Sequence, residues 1–479
     1  MLALPAALLA LLAGLVLAGC GGSHRAATGT STTTTTTTAT TSTTTTAPTT
    51  TTRPKPPAPR GKLITIHVVD GDTGSPVTGA SLRIRGARKH GPDTVVLLGH
   101  RAATLTLSAP SYTTRTVRVV SGDPRLLTLR LYRTAGQWLM YGVSAASTQS
   151  QGEIRLRPPF KIAWARDLGT LLEFPAVVDD GVAYLSNLSG HLFALRMDNG
   201  RTVWKFNMES HEQNSAPAIV GDRLVAHSKS GRVLVLDRAN GHLLWSWTAS
   251  GQIESSPVVE HGIDYLGDWA GDVYALDLKT HKVKWDYHDG CKITASATIS
   301  GGTLYIGDYC GRIVALRRST GAVLWSRSAG GVVYGTSAVA GGRVFVPSRG
   351  AEALYAFDTS GNYLWHVSTG GLVYSAPAVW HGRVYFGSYT GVLYCLSEAT
   401  GQVLWDISTG GAISGSPTVI DGVVYAGNFA HRIVGADART GHVLFTFPHG
   451  EYVAVSGNPG RLLLYGWASV WAVEARTRK

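Results

Sequence analysis

The side chains of this 479-residue chain that could support metal or nucleophilic chemistry are sixteen histidines, four cysteines and scattered carboxylates. Metal sites usually appear as close, regular spacings of such residues, as in H-E-x-x-H, and no spacing of this kind occurs here. The densest group is His211, Glu212 and Asn214, which is typical of a solvated polar loop. The sequence therefore predicts neither a metal centre nor a catalytic residue.

A repeat of about 40 residues must position whatever site the chain contains. Eight aromatic residues fall at intervals of 40 or 41: Trp164, Trp204, Trp245, Trp285, Trp325, Trp365, Trp405 and Phe445. A fixed period of this length indicates an array of like supersecondary units. Such arrays are most often scaffolds, so the repeat specifies a fold more firmly than a function.

Each repeat has the pattern of four short strands between glycine-rich turns. In the fifth repeat, an outer strand opens at Trp325, an inner strand of small residues spans 332–339, and two further strands cover 344–346 and 354–358. Four strands in about 40 residues are typical of a propeller blade. We expect an all-β fold, an eight-bladed propeller of four-stranded blades, in which the strand around Trp164 completes the last blade and removes two free sheet edges.

Three cysteines lie within the repeats. Cys291 precedes the inner strand of one blade and Cys310 follows its second strand, so the turn at 300–302 brings the two close together. In an oxidising compartment this proximity predicts a structural disulfide. Cys395 lies in a strand and is expected to be a buried small hydrophobe.

Two repeated positions should meet on one face of the propeller. Where the inner strands begin, the repeats align Leu172, Asn214, Glu254, Thr294, Tyr334, Tyr374, Ser414 and Val453. At the turn between the second and third strands they align Trp269, Tyr309, Tyr389, Phe429 and Trp467, with Arg349 as an exception. Aromatic residues clustered on one face suit a protein partner or a sugar, although each could instead cap its own blade.

The segments 315–325 (ALRRSTGAVLW) and 275–285 (ALDLKTHKVKW) resemble the tryptophan-docking motif of pyrroloquinoline-quinone (PQQ) repeat propellers. Residues 138–142 (WLMYG) and 158–164 (PPFKIAW) are similar to the lead-in of that family. The resemblance covers 138–479 and implies a quinoprotein-like propeller domain, for which we take the bounds 134–479.

Members of the PQQ-repeat family include both enzymes and BamB-like scaffold lipoproteins. The resemblance implies that an enzyme would hold PQQ with a vicinal Cys-Cys pair, a Trp beneath the ring, a Ca²⁺ site of Glu, Asn and Asp, and a catalytic Asp. The chain has no adjacent cysteines and no Trp on a predicted inner strand, and Glu254 with Asn214 does not rebuild the Ca²⁺ site. We therefore expect no PQQ, no Ca²⁺ and no enzymatic activity.

The amino-terminal region has the sequence pattern of a membrane anchor. Residues 1–19 are apolar and end in the lipobox Leu17-Ala-Gly-Cys20, which predicts a cleaved signal peptide and a lipidated Cys20. An uncleaved anchor helix is the alternative. Residues 20–61 form a Thr- and Pro-rich stretch that cannot bury a core and is expected to be a disordered tether outside the cytoplasm.

Residues 62–133 contain six or so short strand patterns, which predict a small β-sandwich preceding the propeller. The stretch 69–80 (VDGDTGSPVTGA) resembles carboxypeptidase-regulatory-like (transthyretin-like) domains, a non-catalytic family. Residues 1–133 carry 15 Lys and Arg against 4 Asp and Glu, so most of the net charge of +12 lies there. A basic module suits an anionic membrane or wall polymer, and it also suits simple solubility.

Taken together, these features predict a monomeric, lipid-anchored extracytoplasmic protein, at the cell surface or in the periplasm, that uses the propeller as a non-catalytic scaffold. The expected partner is a protein of the cell envelope, and the alternative is a cell-wall glycan. The near-neutral propeller has no nucleic-acid-reading motif, so no nucleic acid is expected. The nine residues expected on the binding face are Trp269, Tyr309, Tyr389, Phe429, Trp467, Tyr334, Tyr374, Glu254 and Asn214.

Overall fold

A computed structural model describes residues 61–97, 102–209 and 215–476, and these belong to one compact unit, Pro59–Lys479. The predicted signal peptide, Cys20 and the tether therefore lie outside the described residues. The described regular structure consists of β-strands, and no helix in it is long and apolar enough to span a bilayer.

The amino-terminal part consists of two facing sheets of short strands. One sheet has the order Arg88–Gly91, Thr94–Leu97, Lys62–Asp70, Leu126–Leu131, and the other has the order Ser81–Arg85, Ala103–Ser108, Arg115–Val119. Alternate residues point into a shared core that includes Ile64, Leu105 and Leu131. The strand Arg88–Gly91 has no hydrophobic alternation, which is why sequence reasoning missed it.

Eight four-stranded antiparallel sheets follow, and we number them as blades in chain order. Their strands, from the channel outward, are as follows. Blade 1 has Val177–Asp179, Val182–Ser186, His191–Arg196 and Thr202–Asn207, and blade 2 has Ala218–Val220, Arg223–Ser228, Arg232–Asp237 and Leu243–Thr248. Blade 3 has Val258–Glu260, Ile263–Gly267, Asp272–Asp277 and Lys282–His288, and blade 4 has Thr298–Ser300, Thr303–Gly307, Arg312–Arg317 and Val323–Ser328.

The remaining four blades keep the same order. Blade 5 has Ala338–Ala340, Arg343–Ser348, Ala353–Asp358 and Tyr363–Ser368, and blade 6 has Ala378–Trp380, Arg383–Gly387, Val392–Ser397 and Val403–Ser408. Blade 7 has Thr418–Ile420, Val423–Asn428, Arg432–Asp437 and Val443–Phe447, with Ser150–Gln151 added parallel to its inner strand. Blade 8 has Val455–Asn458, Arg461–Tyr465, Ser469–Ala475 and, as its outer strand, Phe160–Asp167.

The ring closes as the sequence predicts. The strand Phe160–Asp167 pairs antiparallel with Ser469–Ala475, and Trp164 lies opposite Ala472. An amino-terminal strand thus completes the carboxy-terminal blade, so that neither of these two strands is left without a partner. The predicted eight-bladed architecture is confirmed.

The repeated tryptophans join neighbouring blades. The indole Nε1 of Trp285 donates to the carbonyl oxygen of Arg318 in the next blade at 2.9 Å, and its ring covers Gly321. Gly321 has φ +72°, and a Cβ atom there would lie 2.6 Å from the Trp285 ring. Glycine therefore precedes the outer strand in blades 1, 2 and 4 to 7, where both the backbone and the ring disfavour a side chain, whereas blade 3 has His281 at φ 60°, stacked on Trp245.

The cysteines lie as the sequence predicts. Cys291 and Cys310 form a disulfide whose Cα atoms are 5.9 Å apart, and Cys395 is buried in the third strand of blade 6. The disulfide joins the segment before the inner strand of blade 4 to the turn after its second strand.

The sandwich contacts the propeller through a buried carboxylate. Asp72, which is 6% exposed, accepts hydrogen bonds from Asn458 Nδ2 at 2.8 Å and Gln137 Nε2 at 3.2 Å. An ion pair between Arg130 and Asp198 at 2.9 Å adds to this contact. These bonds attach the sandwich to the face of the propeller formed by the turns between inner and second strands.

Candidate functional site

The inner strands are shorter than the sequence suggests, and the reason lies in the packing between blades. In blade 5 only Ala338–Ala340 pairs as a strand, whereas the prediction was 332–339. In blade 5 the N–H of Val333 instead donates to the carbonyl oxygen of Asp308 in blade 4 at 3.0 Å. At the same part of the repeat in blades 3 and 4, backbone groups bond to the next blade: the N–H of Ser256 donates to Ser296 Oγ at 2.8 Å, and that of Ser296 to Thr336 Oγ1 at 3.1 Å. Each partner lies 40 residues further on, so a belt of hydroxyl groups surrounds the channel.

A segment ahead of the first blade runs through the channel, and we call residues 137–151 the channel segment. Its carbonyl oxygens accept backbone N–H groups from the inner strands of blades 2, 4, 5, 6 and 7, and Trp138 exchanges two such bonds with Val178 of blade 1. The N–H to O distances are 2.7–2.9 Å. Sequence reasoning missed this arrangement because the segment has no periodic pattern.

The channel segment forms the floor of a cavity of about 100 Å³, which we call the cup. Tyr141 and Gln149 of the channel segment lie at its base, and the Tyr141 hydroxyl is 2.8 Å from Ser416 Oγ. Six residues of the predicted inner ring line its wall: Glu254, Thr294, Tyr334, Tyr374, Ser414 and Val453. The eightfold repeat thus places this position of most blades around one cavity.

The two predicted rings of residues merge into one aromatic arc at the mouth of the cup. Consecutive ring centroids are 4.7–6.2 Å apart along the series Tyr309, Tyr334, Tyr374, Tyr389, Phe429 and Tyr452. These separations are those of interacting aromatic pairs. Most neighbours meet edge to face or tilted, so the arc has no flat platform.

Glu254 connects Trp269 to this arc. Its Oε2 accepts from Trp269 Nε1 at 3.0 Å and its Oε1 accepts from the Tyr334 hydroxyl at 2.8 Å. Burial, and then the charge of Glu254, raises the pKa of Tyr334 far above its ordinary value, so this phenol stays a neutral donor. Both oxygens of Glu254, itself buried, are therefore engaged by the protein.

Three cations lie at the rim of the cup, outside its described lining, and the first is Lys229, whose ammonium is 5.2 Å from the centroid of the Trp269 ring. The Lys292 ammonium is 3.3 Å from the centroid of the Trp269 ring and 4.6 Å from that of Tyr309. The Arg349 guanidinium is 5.1 Å from the Tyr374 ring centroid, and its Nε donates to the Tyr374 hydroxyl at 2.5 Å. Partial burial lowers the pKa of Lys292. The arc thus already binds two cations from its own chain.

Two residues expected on the binding face are not placed in this arrangement. The Trp467 side chain is 55% exposed and joins neither the arc nor the cup lining, and Asn214 lies outside the described residues. In the inner ring, Leu172 is fully buried and its neighbour Glu173 lines the cup in its place. The other seven residues, Trp269, Tyr309, Tyr389, Phe429, Tyr334, Tyr374 and Glu254, are brought together.

Four residues of the site were missed by sequence reasoning. Tyr452 immediately precedes Val453, so the alignment of the atypical last repeat could have found it. Lys292 occupies the repeat position two residues before Thr294, where the other described blades have no positive charge. Glu173 and Phe174 precede the first inner strand, and no complete repeat before them offers an alignment.

One acidic group elsewhere has the composition of a metal site but not its chemistry. Asp289, Cys291 and Asp308 place possible ligand atoms within 4.8 Å of one another. The sulfur of Cys291 belongs to the disulfide, and both carboxylates are held by Arg312 at 2.8 Å. This group is therefore an ion-pair cluster that supports blade 4.

Solved structures similar to this chain are propellers. BamB from Moraxella catarrhalis aligns with a TM-score of 0.56 and 18% identity, over 67% of this chain and 99% of that one. Quinohemoprotein alcohol dehydrogenase from Comamonas testosteroni aligns with a TM-score of 0.60 and 15% identity, over 72% and 81%. At these identities the likeness concerns the fold alone.

Sequence relatives are of the same two kinds. The outer membrane protein assembly factor BamB of Bordetella pertussis is 30% identical over 94 residues, 20% of this chain and 24% of that protein. The quinoprotein ethanol dehydrogenase of Pseudomonas putida is 25% identical over 109 residues, 21% and 18%. The chain spans about a fifth of the length of the curated relatives it matches.

The family described as "Outer membrane protein assembly factor BamB" matches residues 189–296, 291–373 and 352–470, which together cover more than half of the sequence. The matched region extends from the third strand of blade 1 into blade 8 and contains every Trp of the repeat from Trp204 onward. With the eight blades and their tryptophan docking, it leads to one conclusion: the chain belongs to this PQQ-repeat, BamB-like propeller family.

Proposed function

We propose that this protein is a lipid-anchored component of the cell envelope and that it catalyses no reaction. It binds a protein partner with the face of the propeller on which the cup opens, which we call the cup face. Cys20 carries the anchor, and the stretch 20–61 separates the membrane from the folded unit. A BamB-like propeller is compatible with a scaffold and with a dehydrogenase, so the choice depends on the residues of the site.

One observation carries the proposal. Residues from two separate repeat positions converge on the open end of the channel, whose interior is filled by the channel segment. Interfaces obtain most of their binding energy from a few buried aromatic and arginine side chains. Half-buried rings beside a small cavity suit that role, because a partner can cover the rings and insert a side chain.

A quinone-dependent enzyme is the alternative, and it would require the residues of a PQQ site in the cup. A PQQ site of the family kind would need a vicinal disulfide, a Trp beneath the quinone and a Ca²⁺-binding carboxylate. Cys291 and Cys310 are separated by 19 positions, and the described residues that line the cup include no Trp and no Asn or Asp that would complete a Ca²⁺ site with Glu254. These residues do not fit the cofactor, which supports the non-catalytic proposal.

A cell-wall glycan is the second candidate for the cup face. Sugars stack best on flat, exposed rings. The interplanar angles of 73° for Tyr334 with Tyr374, 69° for Tyr389 with Phe429 and 82° for Phe429 with Tyr452 mean that these neighbouring rings share no common flat surface. The geometry of the arc therefore favours a protein partner over a glycan.

Site-specific photo-crosslinking in the native host tests the proposal. A photoreactive amino acid replaces Trp467, which is exposed beside the cup face, and in a control it replaces Trp380, next to the turn between inner and second strands on the opposite face. We expect one crosslinked protein from position 467, none from 380, and loss of the product in Tyr389→Ala. Equal products from both positions, or product unchanged by Tyr389→Ala, would refute partner binding at this face.

Membrane anchoring needs a separate experiment. Cys20→Ser removes the thiol that would carry lipid, so the variant should leave the membrane fraction while the parent protein stays in it. Persistence of the variant in that fraction after alkaline extraction would contradict lipid anchoring through Cys20.

A further inference from the structure

The lining of the cup has a one-sided charge. Among the nineteen residues of its lining that the structure describes are two carboxylates, Glu173 and Glu254, and no lysine, arginine or histidine. The negative charge of Glu173 reaches the walls, because it contributes, after burial, to raising the pKa of Tyr452 to about 12. The described lining by itself therefore favours a cation over an anion, although Lys229, Lys292 and Arg349 at the rim act in the opposite sense.

The walls of the cup are aromatic. Tyr334, Tyr374 and Tyr452 stand around it, and Phe174 packs on Tyr141 at the floor with centroids 5.6 Å apart. Aromatic faces carry partial negative charge and bind ammonium and guanidinium groups, most strongly where water is excluded. Rings and carboxylates together thus favour an organic cation over a neutral or anionic group.

The floor has an unpaired polar group. Gln149 is 1% exposed and lines the cup, and its amide nitrogen has no hydrogen-bond partner among the described residues. Its polar neighbour at the floor is the Tyr141 hydroxyl, and the nitrogen itself has almost no accessible surface, so the amide makes the floor polar without facing the open cavity.

The rim shows the same chemistry in use. Lys292 lies 3.3 Å from the Trp269 ring centroid, and Arg349 lies over Tyr374. Both cations belong to the chain, and both are bound by rings of the arc. The cup repeats these ingredients one layer deeper, where the described part of its lining contains two carboxylates beside the aromatic walls.

We propose that the cup receives an alkylammonium group, the side chain of a lysine of the protein partner, between the carboxylates of Glu173 and Glu254 and the tyrosine walls. A cavity of about 100 Å³ admits a chain of only a few heavy atoms, which matches the end of a lysine side chain. This inference rests on the proposed function for the origin of the lysine, whereas the affinity of the cup for the cation can be measured alone.

Calorimetric titration of the full protein with three probes tests the inference. We expect N-acetyl-lysine methylamide and n-butylammonium to bind with one-to-one stoichiometry, and n-butanol to bind more than tenfold more weakly. Glu173→Gln and Glu254→Gln should each weaken binding of the ammonium probes more than tenfold, because each removes a negative charge but keeps the shape of the side chain. The exposed Glu153→Gln is the matched control and should leave the affinity unchanged.

The outcomes separate the two proposals. Equal affinity for n-butylammonium and n-butanol, or affinity unaffected by both glutamine variants, would overturn the cation site. Binding of n-butylammonium with tenfold weaker binding of the lysine derivative would overturn the lysine side chain as the occupant and indicate a free amine. Cation binding without any crosslinked partner at position 467 would refute the proposed function and leave the cation site standing.

Discussion

Replacement of Asp72 by asparagine should change how the stability of this protein depends on pH. Asp72 lies at the contact between sandwich and propeller, where it accepts hydrogen bonds from Gln137 and Asn458. The pKa of its carboxyl is raised from the ordinary 3.8 to about 7, chiefly by burial, against the lowering effect of the Gln137 hydrogen bond and with a smaller contribution from the nearby carboxylates of Asp70, Asp179 and Asp180. Folding therefore favours the protonated form.

The sign and size of the effect follow from linkage. Because the folded-state pKa lies above the unfolded value, the folded protein binds more protons between pH 4 and pH 7, so stability falls as pH rises through that range. At about 1.4 kcal/mol for each pKa unit, the difference between 3.8 and about 7 corresponds to about 4 kcal/mol at alkaline pH. Between pH 4.5 and pH 8 the change is about 3 kcal/mol.

Asp70 acts in the opposite sense and in another range. Burial alone would raise its pKa, but hydrogen bonds led by that from Arg133 hold the pKa below 3.8. Its stabilising contribution is therefore lost only as pH falls below about 4. The interval from pH 4.5 to pH 8 consequently avoids the titration of Asp70.

Urea unfolding of Asp72→Asn and of the parent protein from pH 4.5 to pH 8 provides the assay. Asparagine resembles the protonated carboxyl and does not titrate. As pH rises from 4.5 to 8, the free energy of unfolding of the variant should therefore increase by about 3 kcal/mol relative to that of the parent. The difference in free energy of unfolding between variant and parent at pH 4.5 reports how well the amide fits Asn458 and Gln137. Only the change of this difference with pH reports the effect of the charge. Asp222→Asn, at a side chain that is 98% exposed, should run parallel to the parent. A constant difference between Asp72→Asn and the parent would refute the reasoning.

Three further predictions concern the blades, the disulfide and the cofactor. Gly321→Ala should lower the free energy of unfolding, measured in urea, by about 2 kcal/mol more than Gly262→Ala does. Both glycines have positive φ, but only Gly321 lies against a tryptophan ring, so equal losses would argue against packing on the tryptophan as the cause. Alkylation of unfolded, unreduced protein should modify Cys395 alone, with Cys291 and Cys310 reacting only after reduction, and three modified cysteines by intact mass would contradict the disulfide. Purified protein with PQQ and Ca²⁺ should show no quinone-dependent oxidation of alcohols or aldose sugars, and turnover would overturn the non-catalytic proposal.

The blade count and the closure were predictable because they depend on local patterns and on counting. Each Trp starts an outer strand, glycine-rich turns separate the strands, and the last repeat ends without an outer strand of its own. The first outer strand lacks a partner and the last blade lacks an outer strand. Pairing the two satisfies the backbone hydrogen-bonding groups of both. The pairing of Trp164 with Ala472 is the result.

The extent of the inner strands was not predictable in the same way. Residues 332–337 have the composition of a strand, but backbone groups at this position of the repeat bond to a hydroxyl of the next blade instead of extending the sheet. A hydrogen bond between residues 40 positions apart depends on how the blades are tilted, which no local pattern encodes.

The sequence by itself determined the fold, the disulfide and the repeat positions of seven aromatic and acidic residues, because periodic spacing carries that information. Only the tertiary structure decided that these residues come together around the mouth of one cup. Glu173 and Tyr452 become neighbours of these residues only when blade 8 meets blade 1, and Gln149 reaches the floor only because the channel segment enters the ring. A repeat specifies each blade from local residues, whereas the shape and charge of the channel arise where residues distant in sequence meet around its axis.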